Sequence, residues 1–171
     1  MLSEADAIAR LCTACGLCCN GVLFADVELQ AGDDVAALEK LGLPVKRLKT
    51  KTKMPQPCAA FDGCLCRHYE QRPGHCQKFE CLQLIKVNRG ETTTGSALTH
   101  IQQARRLAER AEQFLEELGH NRRDLPLSQR YRRCVRAAER GDWTGEQLEA
   151  LAELQMSVHK LTALLQREFY P

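Results

Sequence analysis

Aromatic side chains are scarce in this chain: Phe, Tyr and Trp make up 5% of its 171 residues, against 27% charged ones. So thin a supply excludes a large aromatic core, above all in the N-terminal half, and counts against a surface that binds nucleic acid by stacking bases on rings. An excess of one charge is missing too. With 24 Lys plus Arg against 22 Asp plus Glu, no global field draws in nucleic acid or a membrane. Long apolar runs are absent. Even Leu161–Leu165 is broken by Thr162 and soon meets Gln166 and Arg167, well short of the roughly 20 apolar residues of a membrane helix. The first ten residues carry Glu4 and Asp6 where a secretory leader needs basic side chains, so the expectation is a soluble, cytoplasmic chain with no membrane partner. No GxSxG, HExxH, Walker loop or glycine-rich dinucleotide fingerprint occurs, and catalytic residues stay unassigned. Neither solenoid repeats nor low-complexity tracts are present.

Cysteine runs the other way. Ten are present, nine of them between Cys12 and Cys81. Thiols this crowded must form disulfides, bind a soft metal or remain reactive. A reducing cytoplasm does not sustain so many disulfides, and adjacent Cys18 and Cys19 bridge each other only under strain. Metal ligation is the reading that remains, with Cys12, Cys15, Cys18, Cys19, Cys58, Cys64, Cys66, Cys76 and Cys81 as candidate ligands.

The opening run Cys12-Thr-Ala-Cys15-Gly-Leu-Cys18-Cys19 contains CxxCGxC, which resembles the loop that gives bacterial ferredoxins three ligands of a four-iron cluster. Similar CxxC units also serve tetrahedral zinc. The cofactor expected first is therefore a 4Fe-4S iron–sulfur cluster, one or two per chain, with zinc, polynuclear if the sulfurs bridge, as the close alternative. Two separate four-cysteine sites use eight thiolates, whereas a bridged zinc cluster can use all nine, and the count excludes neither. His68 and His75 sit in the same loops, where solvated histidines are commoner than ligands. Cys134 falls on the apolar stripe of a helix and reads as a buried structural thiol.

Around these residues the pattern predicts a mainly α fold: a small, loop-rich, metal-stapled cysteine module over residues 1–92, followed by an antiparallel bundle of three helices over 93–171. In the module, Ser3 caps a short helix with Ile8 and Leu11 on its apolar side, Val22–Leu29 is extended, and Asp33-Asp34 starts a helix that Gly42 stops. Residues 46–53 form a basic connector, read either as a solvated loop or as ammonium groups that ease thiolate formation. Pro55, Pro57, Gly63, Pro73 and Gly74 make the stretch from Cys58 to Cys81 mostly loop, and Cys81–Val87 is a short apolar element. Tyr69 and Phe79 are candidate shields for the sulfurs, and Arg72 a candidate counter-charge. In the bundle, Ser96 caps a helix with Ala97, Ile101, Ala104, Ala108, Ala111, Leu115 and Leu118 on one face. Pro126 starts a second, and Thr144 with Gln147 boxes the start of a third, with Leu148, Leu151, Val158, Leu161, Leu165 and Phe169 inward.

The order of Cys12-Thr-Ala-Cys15-Gly-Leu-Cys18-Cys19, Pro57-Cys58 and Cys66-Arg-His-Tyr69-Glu-Gln-Arg72-Pro73-Gly-His-Cys76 resembles the bacterial CxxCxxCC cysteine-cluster family, the YkgJ-like zinc- or iron-chelating domain. The resemblance covers roughly residues 10 to 90, with Cys64 and Cys81 as extras and the bundle outside it. It implies an intracellular metal-binding domain, of a kind that also occurs in flagellin lysine methylases, although no methyl-donor site is evident here. The function expected is metal binding with a role in electron transfer, sensing or chelation, its partners being metal ions and a protein redox partner. Two other classes stand beside it: a cluster-dependent modification enzyme, and a zinc-stapled adaptor for protein or nucleic acid that would use Arg122, Arg123, Arg130, Arg132, Arg133 and Arg136 as its contact surface.

Overall fold

Alanines at Ala97, Ala104, Ala108 and Ala111 leave one face of a long helix nearly flat, so a second helix can pack closely against it, and Ile101 and Leu115 fill the layer between. The computed structural model of the chain describes residues 4–63 and 65–171. Its main axis is that helix, α5 (Thr94–Glu117), lying along α7 (Gly145–Glu168) in the most extensive helix contact of the fold. At a 1.5 Å rise, each 24-residue helix is about 36 Å long. Leu151, Leu154, Leu161, Leu164 and Leu165 of α7 meet the alanine face, and α6 (Leu127–Ala138) contributes Leu127 and Cys134.

The bundle is capped largely where the sequence indicates. Thr144 and Gln147 form the reciprocal capping box of α7, and Gly119 closes α5 with φ +79°. Two positions differ. The cap of α5 is Thr93, whose hydroxyl accepts from the Ser96 amide at 3.1 Å, because the residue three before a free amide is the one that reaches it. Leu148 lies outward in the first turn of α7, 51% exposed.

Before the bundle the elements are short: α1 (Glu4–Cys15), β1 (Asp26–Glu28), α2 (Val35–Lys40), β2 (Lys46–Arg47), β3 (Thr52–Pro55), a 3₁₀ turn at Tyr69–Gln71, α3 (Gly74–Lys78) and α4 (Leu82–Asn88). The Ser3 cap lies outside the described residues, as do the side chains of Asp6 and Ile8. The strands form an antiparallel sheet in the order β1-β3-β2, with Val27 opposite Met54, both buried. Lys46–Lys53, expected as a solvated loop, is a hairpin turned by the Leu48 amide on the Lys51 carbonyl at 2.8 Å. Its cations face acids of the chain itself: Arg47 with Glu39 at 2.6 Å, Lys51 with Glu28 at 3.0 Å and Lys53 with Asp26 at 2.8 Å.

Apolar side chains gather in two clusters. The larger joins the bundle to Leu11, Leu17, Leu23 and Leu84, so α1 and α4 rest directly on α5. A smaller one, Val27, Leu38, Leu43, Met54 and Ala60, lies under the sheet. The chain's end closes over the larger cluster: the Tyr170 hydroxyl donates to the Leu23 carbonyl at 2.7 Å, and the Leu82 amide to that of Phe169 at 3.0 Å. Leu154→Ala should destabilise the fold by about 2–5 kcal/mol, whereas Leu148→Ala should change it by less than about 0.5 kcal/mol. Urea midpoints for the two variants, at unchanged slope, check this.

Candidate metal centre

Cys12 and Cys15 stand three residues apart at the end of α1, a spacing that puts them on one face of the helix. Gly16 then takes φ +67°, which stops the helix and turns the chain sharply. Its carbonyl accepts from the Cys19 and Asn20 amides, each at 3.0 Å, and the Leu23 amide closes onto the Leu17 carbonyl at 2.9 Å. This tight turn leaves Cys15 and Cys18 packed against the large apolar cluster, beside Phe24, Phe79 and Cys81. Cys81 arrives from more than sixty residues away as the residue that begins α4, which packs on α1.

Cys19 faces another neighbourhood. The Cys58 amide donates to the Cys19 carbonyl at 2.8 Å, and Phe61 and Cys66 pair across a β-bridge. Cys76 lies in α3, whose first amide, Gly74, donates to Asp33 Oδ1 at 2.7 Å and so ties α3 to the segment after β1. Cys58, Cys66 and Cys76 pack against the small sheet cluster. Cys64, the remaining candidate ligand, lies outside the described residues. Cys134 is fully buried in the bundle core, far along the chain from the others.

Every described cysteine is a free thiol. Burial pushes the Cys12 and Cys76 thiols up to about 11 and those of Cys15 and Cys19 up to about 12. Cys12 is exposed as a residue, yet its sulfur is crowded enough by neighbouring atoms for desolvation to dominate. Mutual repulsion adds to burial. Cys81 acts on Cys12, Cys15 and Cys18, and Cys58, Cys76 and Cys66 act most on Cys19, while smaller repulsions link Cys19 to Cys18 and to Cys12. Burial also raises Cys58 and Cys81, the latter against the pull of the Leu84 and Gln83 amides at the start of α4.

Three arginines oppose this. Arg72 acts on both Cys12 and Cys76; its Nε donates to the Tyr69 carbonyl at 2.8 Å and its guanidinium lies 3.6 Å from the centre of the Tyr69 ring. Arg105 of α5 eases Cys15 and donates to the Ala14 carbonyl at 2.8 Å. Arg67 eases Cys58 and donates to the Ala59 carbonyl. In the basic connector Arg47, Lys51 and Lys53 pair with Glu39, Glu28 and Asp26, and the charges that ease Cys12, Cys15, Cys58 and Cys76 are those of the three arginines instead. Arg105 was missed because it lies in α5, outside every cysteine motif, and Arg67, although it follows Cys66 in the motif, because nothing local tells which thiol its charge meets. Phe79 packs edge-on to Phe24 at 5.0 Å beside the first set of thiols, as a shield would, whereas Tyr69 is largely exposed under Arg72. His75 stacks on Phe79 with ring centres 6.4 Å apart.

Among the described residues, no three or more His, Cys, Asp or Glu side chains form a ready-made group that could hold a metal ion. Neutral thiols have no reason to converge on a point; they repel once ionised, and a cation reverses that repulsion. The donor set fits such a cation. Thiolates suit zinc or iron–sulfur iron, and the amides and arginines around them offset negative charge.

The fold and its sulfur-rich loops define a small, mainly helical protein with a cysteine-rich candidate metal centre. A model of the CxxCxxCC family, described as a putative zinc- or iron-chelating domain, matches residues 11–97, and the chain belongs to that family. Membership supports metal binding without distinguishing zinc from iron. Neither a curated protein nor a solved structure matches the chain.

Two outcomes follow. A Cβ on Gly16 would lie 2.6 Å from the Phe61 ring and sit on left-handed backbone. Gly16→Ala should therefore cost at least about 1–2 kcal/mol from the backbone alone, read as a lowered urea midpoint. In the metal-free protein burial pushes the thiols of Cys12, Cys15, Cys19 and Cys76 from the ordinary value of 9.0 up to about 11 to 12. A raised thiol pKa leaves stability whole below pH 9 and removes it as pH climbs through 11–12. Tm of the reduced, metal-free chain should be flat below pH 9 and fall steeply above it; a flat profile to pH 12 refutes the burial of these thiols.

Proposed function

We propose that the protein is a cytoplasmic iron–sulfur protein that transfers single electrons to a protein partner or senses oxidants through its cluster. The observation that carries this reading is the arrangement around α1. Cys12, Cys15 and Cys18 follow one another at three-residue intervals through the helix end and its turn, and remote Cys81 comes up beside them as α4 packs on α1. Three ligands on one loop plus a distant fourth is the ligation of a four-iron cluster. Such a cluster, when bound, supplies one-electron chemistry in a range set by its surroundings.

The chain's residues divide the remaining work. Phe24, Phe79 and Tyr170 form an edge-to-face wall that keeps water from Cys18, with Phe24 and Tyr170 ring centres 6.2 Å apart. Arg72 and Arg105 place positive charge beside the sulfurs, which favours the thiolates and raises a reduction potential. Cys12 is the exposed residue among the described cysteines of this set, and a redox partner can approach its backbone and Cβ there although the sulfur itself is crowded. Among the described residues no helix is long and apolar enough to cross a membrane. Of the six arginines proposed for an adaptor surface, Arg122 pairs with Asp124 at 2.6 Å, Arg123 pairs with Glu116, and Arg130 is 2% exposed, so half of that patch is not free to meet phosphate, while Arg132, Arg133 and Arg136 stay exposed.

Zinc is the second reading, and one observation favours it. The five residues of the sheet cluster are too few to hold three short strands unaided, and a structural zinc ion would staple them. Anaerobic purification separates the two. Brown protein with iron and acid-labile sulfide, bleaching on reduction, is the expected result; colourless protein with zinc as its metal would sink the iron–sulfur proposal.

A further inference from the structure

We propose that the thiols form two separate metal centres of four sulfurs each, Cys12, Cys15, Cys18 and Cys81 in one and Cys19, Cys58, Cys66 and Cys76 in the other, with the Cys18–Cys19 peptide bond as the branch between them. This rests on the metal-binding reading above and holds for iron or zinc alike.

Packing separates the two sets. Cys15, Cys18 and Cys81 lie against the apolar cluster of the helices, whereas Cys58, Cys66 and Cys76 lie against that of the sheet; no described cysteine borders both, and Cys12 and Cys19, which border neither, are placed by α1 and by the Cys58 amide respectively. Backbone bonds draw the same line. The amide of Cys58 holds the carbonyl of Cys19 at 2.8 Å, and the β-bridge of Phe61 with Cys66 folds that loop back on itself, while α4 carries Cys81 onto α1. Adjacent side chains in a tight turn point in different directions, so Cys18 and Cys19 cannot easily share one tetrahedral ion but can serve two. The Phe61 ring, held against Gly16, stands between the first turn and the Cys58–Cys66 loop. Arg72 borders both sets, donating to the Cys76 carbonyl at 3.4 Å and acting on Cys12 from the other side. Each bound ion displaces the protons of its thiols to water, and four sulfurs complete its tetrahedron without Cys64.

The test is an anaerobic titration of the reduced, metal-free full chain with Co²⁺, whose thiolate charge-transfer absorption counts bound ions. Two equivalents per chain are expected. Cys15→Ser with Cys81→Ser, and separately Cys58→Ser with Cys76→Ser, should each abolish one equivalent and leave the other's spectrum intact, while Cys64→Ser and Cys134→Ser should keep both. Alkylation of wild type at one and at two equivalents, mapped by mass spectrometry, should show protection appearing in these same sets of four, which needs no variant to fold. One pair abolishing all binding, saturation above two equivalents, or loss of an equivalent in Cys64→Ser would overturn the partition. Wild type that takes up no cobalt would refute the metal-binding reading itself, whereas two equivalents in a protein purified without iron would refute only the iron–sulfur proposal.

Discussion

Thiols buried side by side stay neutral or share a cation; they do not ionise together in a low-dielectric site. Most of the N-terminal half is organised around that constraint. Burial holds Cys12, Cys15, Cys19 and Cys76 protonated far above neutral pH, and neighbouring sulfurs raise the cost of the first charge. A divalent ion or an iron–sulfur core changes the sign of the balance, because each thiolate then meets positive charge. The three arginines and the amides at the start of α4 lean the same way but are too few to replace it.

The helices matter to the sulfurs as a foundation. Leu11, Leu17, Leu23 and Leu84 belong to the same apolar cluster as α5, α6 and α7, so the turn that carries Cys15 and Cys18 is seated on the bundle. Tyr170 and Phe169, at the far end of the chain, close over Leu23 and Leu82. Gln83 adds a buried polar tie, its amide donating to the Glu168 carbonyl at 2.8 Å. The sheet side rests on less, with a small apolar cluster, mostly exposed ion pairs and a border with the start of α6 near Pro126, and there a bound metal would add most to the fold.

Much of this was legible beforehand. The alanine stripe of α5, the Thr144–Gln147 box and the Asp34 cap of α2 are local signals, and local signals survive folding because capping and amphipathic faces need only neighbours a few residues away. The basic hairpin was not legible. Its lysines read as free charge until β1 brought Asp26 and Glu28 alongside. Leu148 was not legible either: it fits the stripe in the sequence, yet in the first turn of α7 it stays exposed.

The chain by itself determined the family, since the cysteine pattern within residues 11–97 is that of a zinc- or iron-chelating domain wherever those loops end up. It also set the helix count of the bundle and the sharp turn after Cys15, which needs glycine. What only tertiary structure decided is company: that Cys81 stands with Cys12 and Cys15, that Cys19 turns toward Cys58, and that Arg72 and Arg105 serve the sulfurs while Lys51 and Lys53 pair with acids. Spacing along a chain governs contacts within a turn or two. Contacts across sixty residues depend on which apolar faces find one another, and no local pattern encodes that choice.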